Sequence, residues 1–177
     1  MTSSAPANPL ELFAALLQLE KLALEAETLA ETRFVISNAT RTLSPFVQSI
    51  YYADTRHNAL RVACLSNVSD VDRSTPYVAW AERLAKHLVT SGKDQELHTL
   101  SPDVLTPALR REWAEFASAY LLWIPLFARG RQRQGVLLLS RETAWTPQEV
   151  ALLTHLSTIY AHALERFASE TVRHVDV

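Results

Sequence analysis

Apolar residues at helical spacing mark both ends of the chain. Near the N-terminus they predict a helix from Pro9 to the low 30s and leave a break before Leu43 open. Near the C-terminus they predict a helix from Pro147 to about Phe167. The first helix has its stripe at Leu12, Ala15, Leu19, Leu22, Ala26 and Leu29, and the last has one at Val150, Leu153, Ser157, Tyr160, Leu164 and Phe167 and another at Leu152, Leu156, Ile159 and Ala163.

Four predicted helix starts share a capping residue followed by proline. The side-chain oxygen of the cap accepts a hydrogen bond from a free backbone N–H, and proline at the next position has no N–H to satisfy. Glu11 and Glu149 stand three residues after two of these caps, which is typical of a capping box. The four pairs are Asn8-Pro9, Thr75-Pro76, Thr106-Pro107 and Thr146-Pro147, and the middle two predict helices over 76–88 and 107–116.

Strand patterns lie between these helices. Residues 46–53 and 60–65 predict one hairpin, and residues 120–127 and 134–140 predict a second. A short strand is predicted near residues 97–100. We expect the arginines beside the second turn, Arg129, Arg131 and Arg133, to keep that turn solvated. The order of helix, two strands, central helices, two strands and helix predicts an α+β fold.

Composition excludes several classes of function. The chain has 177 residues, a formal net charge of -2, one cysteine and three glycines. A single cysteine excludes an internal disulfide, and so few glycines argue against a glycine-rich nucleotide loop. The net charge argues against nucleic-acid binding. No nucleophile elbow or zinc-ligand spacing is present. We therefore expect a protein that is not an enzyme and holds no metal and no cofactor.

The apolar runs are also too short for a membrane. The longest, residues 120–128 and 135–139, fall far below the roughly 20 residues of a spanning helix. The first eight residues lack the basic start and apolar run of a signal peptide. We expect no direct membrane insertion and a cytoplasmic location.

The C-terminal third resembles a GAF domain, a small sensory module related to PAS domains. Residues 124–130, IPLFARG, and 134–139, QGVLLL, resemble the hairpin of that family. Residues 146–153, TPQEVALL, and the Ala161-x-Ala163-Leu164-Glu165 segment resemble its final helix, with Trp145 where phenylalanine is usual. The resemblance covers about residues 10–168. It implies an antiparallel sheet with the terminal helices on one face and the central helices and loops over the other. We expect one domain over residues 9–168, with flexible ends at 1–8 and 169–177.

A second resemblance concerns the N-terminal half. Residues 34–48, FVISNATRTLSPFVQ, and 71–80, VDRSTPYVAW, are similar to GAF-like regions of bacterial membrane-fusion, adaptor-type transport proteins. The anchoring and lipoyl-like parts of those proteins have no counterpart in this sequence. The resemblance implies only a protein partner in a membrane-associated secretion or export system.

The GAF resemblance implies a ligand cavity between the sheet and its central cover. Aromatic walls with an arginine and an aspartate would suit a small anionic or zwitterionic molecule. The same aromatic residues would equally well fill the space as an ordinary core. The candidate residues are Gln48, Tyr52, Cys64, Asp72, Arg73, Tyr77, Trp80, Trp113, Trp123 and Arg141.

Two functions from different classes follow. The first is a regulatory module that senses an unidentified small molecule and signals through the packing of its terminal helices. The second is a degenerate GAF scaffold whose cavity is filled and which acts by protein–protein interaction. In both we expect a homodimer through the apolar stripes of the terminal helices. The candidate interface residues are Leu12, Leu19, Leu22, Leu153, Tyr160 and Leu164.

Overall fold

The computed structural model describes residues 8–55, 57, 59–128 and 132–168. The predicted flexible ends lie outside the described residues, except for Asn8, and so does the turn at Arg129-Gly130. The helices are α1 (Pro9–Glu25), α2 (Leu29–Asn38), α3 (Pro76–Thr90), α4 (Pro107–Phe116) and α5 (Pro147–Glu165). The strands are β1 (Gln48–Asp54), β2 (Leu60–Leu65), β3 (His98–Thr99), β4 (Tyr120–Phe127) and β5 (Arg133–Arg141), with short 3-10 turns at Ala39–Thr42 and Pro102–Val104.

The five strands form one antiparallel sheet in the order β2-β1-β5-β4-β3. The predicted hairpins β1–β2 and β4–β5 are both present, and they join through β1 and β5 at the centre of the sheet. Strand β2 forms one edge and β3 the other. The central position of β5 explains why its run from Val136 to Leu139 is apolar on both faces.

The sheet separates two hydrophobic cores. Alternate strand residues, such as Tyr51, Leu137 and Leu139, pack with α1, α2 and α5 in the first core. Their neighbours, such as Tyr52, Val136 and Leu138, pack with α3 and α4 in the second. The period of two along each strand therefore sends its residues to opposite faces. The expected arrangement, terminal helices on one face and central helices over the other, is confirmed.

All four predicted caps are present. Thr75 and Thr106 accept from the backbone N–H three residues later, and Asn8 accepts from that of Leu10. Thr146 and Glu149 form a complete capping box at the start of α5. These caps fix where the helices begin independently of the core.

The first predicted helix is broken earlier than expected. It ends at Glu25, and a new helix begins at Leu29 with Thr28 as its N-cap. The Thr28 side chain accepts from the N–H of Glu31, and the Glu31 carboxylate accepts from the N–H of Glu27. The sequence Thr28-x-x-Glu31 therefore restarts the helix, although the apolar stripe runs through it without interruption.

Candidate functional site

Helices α3 and α4 lie over the second core, where the GAF resemblance places a ligand cavity. Five aromatic side chains belong to this core or pack against it, and we call them the aromatic site. Two come from the sheet, two from α3 and one from the end of α4. They are Tyr52, Trp123, Tyr77, Trp80 and Phe116.

The rings of the aromatic site contact one another in two groups, a pair and a triangle. The Tyr52 and Trp123 ring centroids are 5.7 Å apart. Tyr77, Trp80 and Phe116 form a triangle with centroid separations of 5.8, 6.0 and 5.9 Å. These are the tilted and edge-on contacts that aromatic pairs prefer. The site in this conformation is therefore packed by its own side chains.

Two buried polar groups of the site have partners in the backbone. The Tyr52 hydroxyl donates to the Ala81 carbonyl at 2.9 Å. The Trp123 Nε1–H donates to the Asp94 carbonyl at 3.2 Å. Burial raises the pKa of the Tyr52 phenol well above its ordinary value, and burial also raises that of Tyr77. Both phenols therefore stay neutral and keep a proton to donate at physiological pH.

Trp80 is different. Its side chain is only 1% exposed. In the part of the chain that the structure describes, its buried Nε1 has no hydrogen-bond partner. Leaving a buried donor unpaired costs about 1–3 kcal/mol, so such groups are rare and each one calls for an explanation.

The neighbouring Trp113 lies in the same core without this feature. It is 5% exposed, and its Nε1–H donates to the Ser118 carbonyl at 2.9 Å. Its ring packs in the second core. Trp113 is thus a satisfied core residue and a natural comparison for Trp80.

The polar candidates form hydrogen bonds with nearby loop and strand groups rather than with the aromatic site. Asp72 is exposed and accepts from the backbone N–H and hydroxyl of Ser74, and these hydrogen bonds hold its pKa below the ordinary value. Arg73 donates to the Val62 carbonyl on the edge strand β2. Gln48 stands at the start of β1 and donates to the carbonyls of Ser49 and Ser66. The structure does not bring these three groups together around one ligand.

Cys64 lies on the opposite face of the sheet from the aromatic site. The β1–β2 register shifts between Tyr51 and Tyr52, so Cys64 pairs with Tyr51 and Val62 pairs with Tyr52. The extra residue, Ala63, moves Cys64 onto the side of the terminal helices, where it packs against their core. The expectation that Cys64 shares a face with Tyr52 is wrong because of this bulge.

Arg141 also lies on the face of the terminal helices. It binds both carboxylate oxygens of Glu149 at 2.8 Å and stacks over the Trp145 ring at 4.5 Å. It also donates to the carbonyls of Pro45, Thr143 and Ala144. Arg141 therefore fixes the start of α5 and is not part of the aromatic site, contrary to the sequence-based expectation.

The ion pair between Arg141 and Glu149, which we call the α5 clamp, changes the ionisation of Glu149. Burial alone would raise the pKa of its carboxyl group. The hydrogen bonds from Arg141 and from the Thr146 backbone, together with the charge of Arg141, outweigh burial and lower that pKa. Glu149 therefore stays ionised and keeps both its capping role and its ion pair.

A buried ion network beside the second core was missed by the sequence reasoning. Arg133, which we expected at a solvated turn, has a side chain only 5% exposed. It donates to the carboxylates of Asp54 and Asp94. Burial alone would lower the pKa of Arg133, but the hydrogen bonds and charges of the two aspartates raise it. The network joins β1, β5 and the loop before β3, three segments that are far apart in sequence.

The expected interface residues are mostly inside the domain. Leu19, Leu153 and Tyr160 are at most 1% exposed, because α1 packs against α5 and both pack on the sheet. Leu12 and Leu164 are buried as well, and only Leu22 is partly exposed. The stripe that faces solvent on α1 is a different one, made of Leu10, Phe13, Leu17 and Leu24.

Two further features concern small ligands and membranes. An open groove of about 370 Å³ lies beside β3 and is lined by Gly92, Lys93, Gln95, Glu96 and His98.

Among the described residues, no three histidine, cysteine or acidic side chains come together as a metal site. The helices in the same described ranges are too short or too polar to cross a membrane.

Comparison with known proteins finds similar structures but no similar sequence. No protein-family model matches the sequence, and no curated protein matches it. A bacteriophytochrome from the photosynthetic bacterium R. palustris matches with a TM-score of 0.66 and 10% identity, over 96% of this chain and 41% of that one. The chromophore-binding domain of a Stigmatella aurantiaca bacteriophytochrome matches with a TM-score of 0.63 and 17% identity, over 92% of this chain and 63% of that one.

A third structure is close to this chain in length. It is a domain assigned to a two-component sensor histidine kinase of Sinorhizobium meliloti 1021, with a TM-score of 0.60 and 13% identity, over 84% of this chain and 99% of that one. The chain spans less than two thirds of either bacteriophytochrome structure. The shared fold, with the strand order above, is the GAF-like α+β fold that the sequence predicts. The resemblance to adaptor-type transport proteins has no support in these structures and stays a prediction.

Proposed function

We propose that the protein is a regulatory module that binds a small molecule at the aromatic site and signals through its terminal helices. The observation that carries the proposal is the unpaired, buried Nε1–H of Trp80. The fold shared with photosensory and sensor-kinase structures supports the same class of function. We place the protein in the cytoplasm, without catalytic activity or nucleic-acid binding.

The site itself limits the chemistry of the ligand. Its walls are aromatic faces, so a flat and largely apolar molecule fits them best. The free donor of Trp80 calls for a hydrogen-bond acceptor on that molecule, such as a carbonyl, a ring nitrogen or a carboxylate oxygen. Tyr77 of α3 and Phe116 of α4 are only partly buried and their rings contact each other, so a ligand would enter the site by separating these two rings.

A signal from this site has a short path to the other face. Tyr52 belongs to the aromatic site, and its neighbour Tyr51 packs against the terminal helices on the opposite face. A ligand that moves Tyr52 also moves the strand that carries Tyr51. The shift is bounded by the difference in ligand affinity between the two packing states.

The proposal is tested with a matched pair of tryptophan variants. Trp80→Phe keeps an aromatic ring and removes the unpaired donor, whereas Trp113→Phe removes a donor that already has a partner. Native mass spectrometry of untagged protein from its own host reports any retained small molecule. We expect extra mass on the wild type and Trp113→Phe, and at least about a tenfold loss of occupancy in Trp80→Phe, because a missing hydrogen bond of about 1.4 kcal/mol weakens binding tenfold. Equal occupancy in both variants would contradict the role of Trp80.

The packed state of the aromatic site favours the scaffold as a second candidate. Three rings already contact one another where a ligand would lie, so a filled core explains their geometry without a ligand. A wild-type protein that carries no extra mass, together with an intact oligomer, would favour this scaffold over the sensor.

We also propose that the protein forms a homodimer, through the exposed stripe of α1 rather than the buried one. Leu10, Leu17 and Leu24 are spaced seven residues apart and are 77%, 51% and 48% exposed. An antiparallel pair of α1 helices centred on Leu17 places Leu10 of one copy opposite Leu24 of the other, so the stripe is complementary to itself.

Sedimentation velocity tests the dimer with two α1 variants of equal charge change. Leu17→Glu puts a carboxylate in the centre of the stripe and should give monomers. Gln18→Glu, exposed on the same helix next to the stripe, should leave the dimer intact. A wild-type monomer, or a dimer that survives Leu17→Glu, would contradict this interface.

A further inference from the structure

Strand β2 is an edge strand whose outer side is already occupied by side chains. Among the residues that the structure describes, its one neighbour in the sheet is β1. The Val62 N–H donates to the Glu82 carboxylate at 3.2 Å, and the Val62 carbonyl accepts from Arg73 Nη2 at 2.9 Å. Because an antiparallel strand directs the N–H and C=O of one residue to the same side, both polar groups of Val62 face away from β1.

The two side chains also bind each other. Arg73 Nη1 lies 2.9 Å from the same Glu82 oxygen that accepts from Val62. A second cation, Arg61, contacts the other oxygen of Glu82 at 3.2 Å. The result is a closed ring in which a guanidinium and a carboxylate offer one donor and one acceptor to a single strand residue. A neighbouring strand would offer the same two groups.

We propose that the Arg73–Glu82 pair guards the edge of the sheet against pairing with β2 of a second copy of this chain. An unpaired edge strand is a template for another strand, and proteins block such edges with charged side chains. A second copy is the fitting partner, because antiparallel pairing about Val62 places Arg61 of one copy opposite Ala63 of the other. Like charges therefore do not oppose each other along the joined edges.

The guard is distinct from the ordinary surface ion pairs of α3. Arg83, next to Glu82 in the same helix, pairs with Glu112 of α4, and among the described residues it has no hydrogen bond or ion pair with a strand. Its side chain is 51% exposed, close to the 52% of Arg73. Arg83→Ala is therefore a matched control that removes an equal charge with equal exposure from outside the edge.

The experiment combines amide hydrogen exchange with sedimentation on the full-length protein. In Glu82→Ala we expect the Val62 amide to exchange about tenfold faster, the factor that follows from losing one hydrogen bond. In Arg73→Ala the Val62 N–H keeps its Glu82 acceptor and should stay protected, but the Val62 carbonyl loses its donor, so we expect self-association that grows with protein concentration. In Glu82→Ala we also expect a self-associated species that grows with protein concentration. Leu17→Glu is included in every variant so that association through α1 does not interfere. Glu82→Gln keeps an acceptor for the Val62 N–H, so the Val62 backbone amide should stay protected from exchange.

Three results would overturn the proposal. One is unchanged Val62 exchange in Glu82→Ala. Another is faster exchange without self-association in Glu82→Ala, which would make the pair a local brace rather than a guard. The last is equal self-association in Arg83→Ala, which would show that loss of charge alone is responsible. If Glu82→Ala does not fold, the self-association of Arg73→Ala carries the test, because Arg73 lies in an exposed loop.

Discussion

Replacing Arg133 by methionine tests the buried ion network most sharply. The change removes a guanidinium that bridges two carboxylates while keeping an unbranched side chain of similar length. Arg133 Nε lies 2.5 Å from Asp54 Oδ2, and Arg133 Nη1 donates to Asp94. Asp94 then keeps only the hydrogen bond from Gln95 Nε2, at 2.7 Å, among the side-chain contacts described for it.

The expected cost follows from burial. The side chains of Arg133 and Asp94 are 5% and 4% exposed, and that of Asp54 is 16% exposed. Removing one partner of a buried ion pair costs about 3–5 kcal/mol, because the other charge is left uncompensated. In a domain of this size, where about 1 kcal/mol shifts Tm by 2–4 °C, the variant should melt about 6–20 °C lower.

Urea unfolding and thermal melting provide the assay. Arg83→Met is the control, since that arginine is half exposed and should cost at most about 1 kcal/mol. Adding Asp94→Asn to Arg133→Met should recover part of the loss, because it removes the unpaired charge. A loss below about 1 kcal/mol in Arg133→Met, or no recovery in the double variant, would refute the reasoning.

Two further predictions concern the backbone and the α5 clamp. Gly135 has φ +153°, and an added Cβ would lie 2.4 Å from the Tyr52 carbonyl oxygen, so Gly135→Ala should lower the free energy of unfolding by about 2–4 kcal/mol in urea titrations. Gly92→Ala, with φ +67° and open space around the new Cβ, should cost about 1–2 kcal/mol, and equal costs would argue against the clash. Glu149→Gln should cost about 1.5–3 kcal/mol at pH 7. Because the folded-state pKa of Glu149 is lowered, the wild-type advantage should be complete above the unfolded pKa of about 4.3 and fade as the pH falls through the folded pKa. An advantage that does not change between pH 7 and pH 3 would contradict the clamp.

Local signals in the sequence were enough to predict most of the fold. Four cap-proline pairs mark helix starts, and alternation with turn residues locates both hairpins to within about two residues. The helix break at Thr28 was missed because the apolar stripe continues across it. The signal was present, since Thr28 and Glu31 have the spacing of a capping box.

The candidate site was harder to predict because it depends on register and burial. A single bulge at Ala63 moves Cys64 to the other face, and the residue types at that position do not predict the bulge. Arg133 looked like a turn residue because its partners, Asp54 and Asp94, are distant in sequence. Of the aromatic candidates, Tyr52, Trp80, Trp113 and Trp123 lie in the second core and Tyr77 packs against it. Their role in ligand binding stays a prediction.

The most direct test of the account is the indole N–H spectrum of ¹⁵N-labelled protein. The four tryptophans give four indole signals, and Trp80 and Trp145 lie on opposite faces of the sheet. The labelled protein would be titrated with the small-molecule fraction of an extract of its own host cells. If a ligand binds at the aromatic site, the Trp80 signal moves, and most strongly, as its Nε1–H gains an acceptor. Four unchanged signals, or a shift confined to Trp145, would contradict ligand binding at the aromatic site.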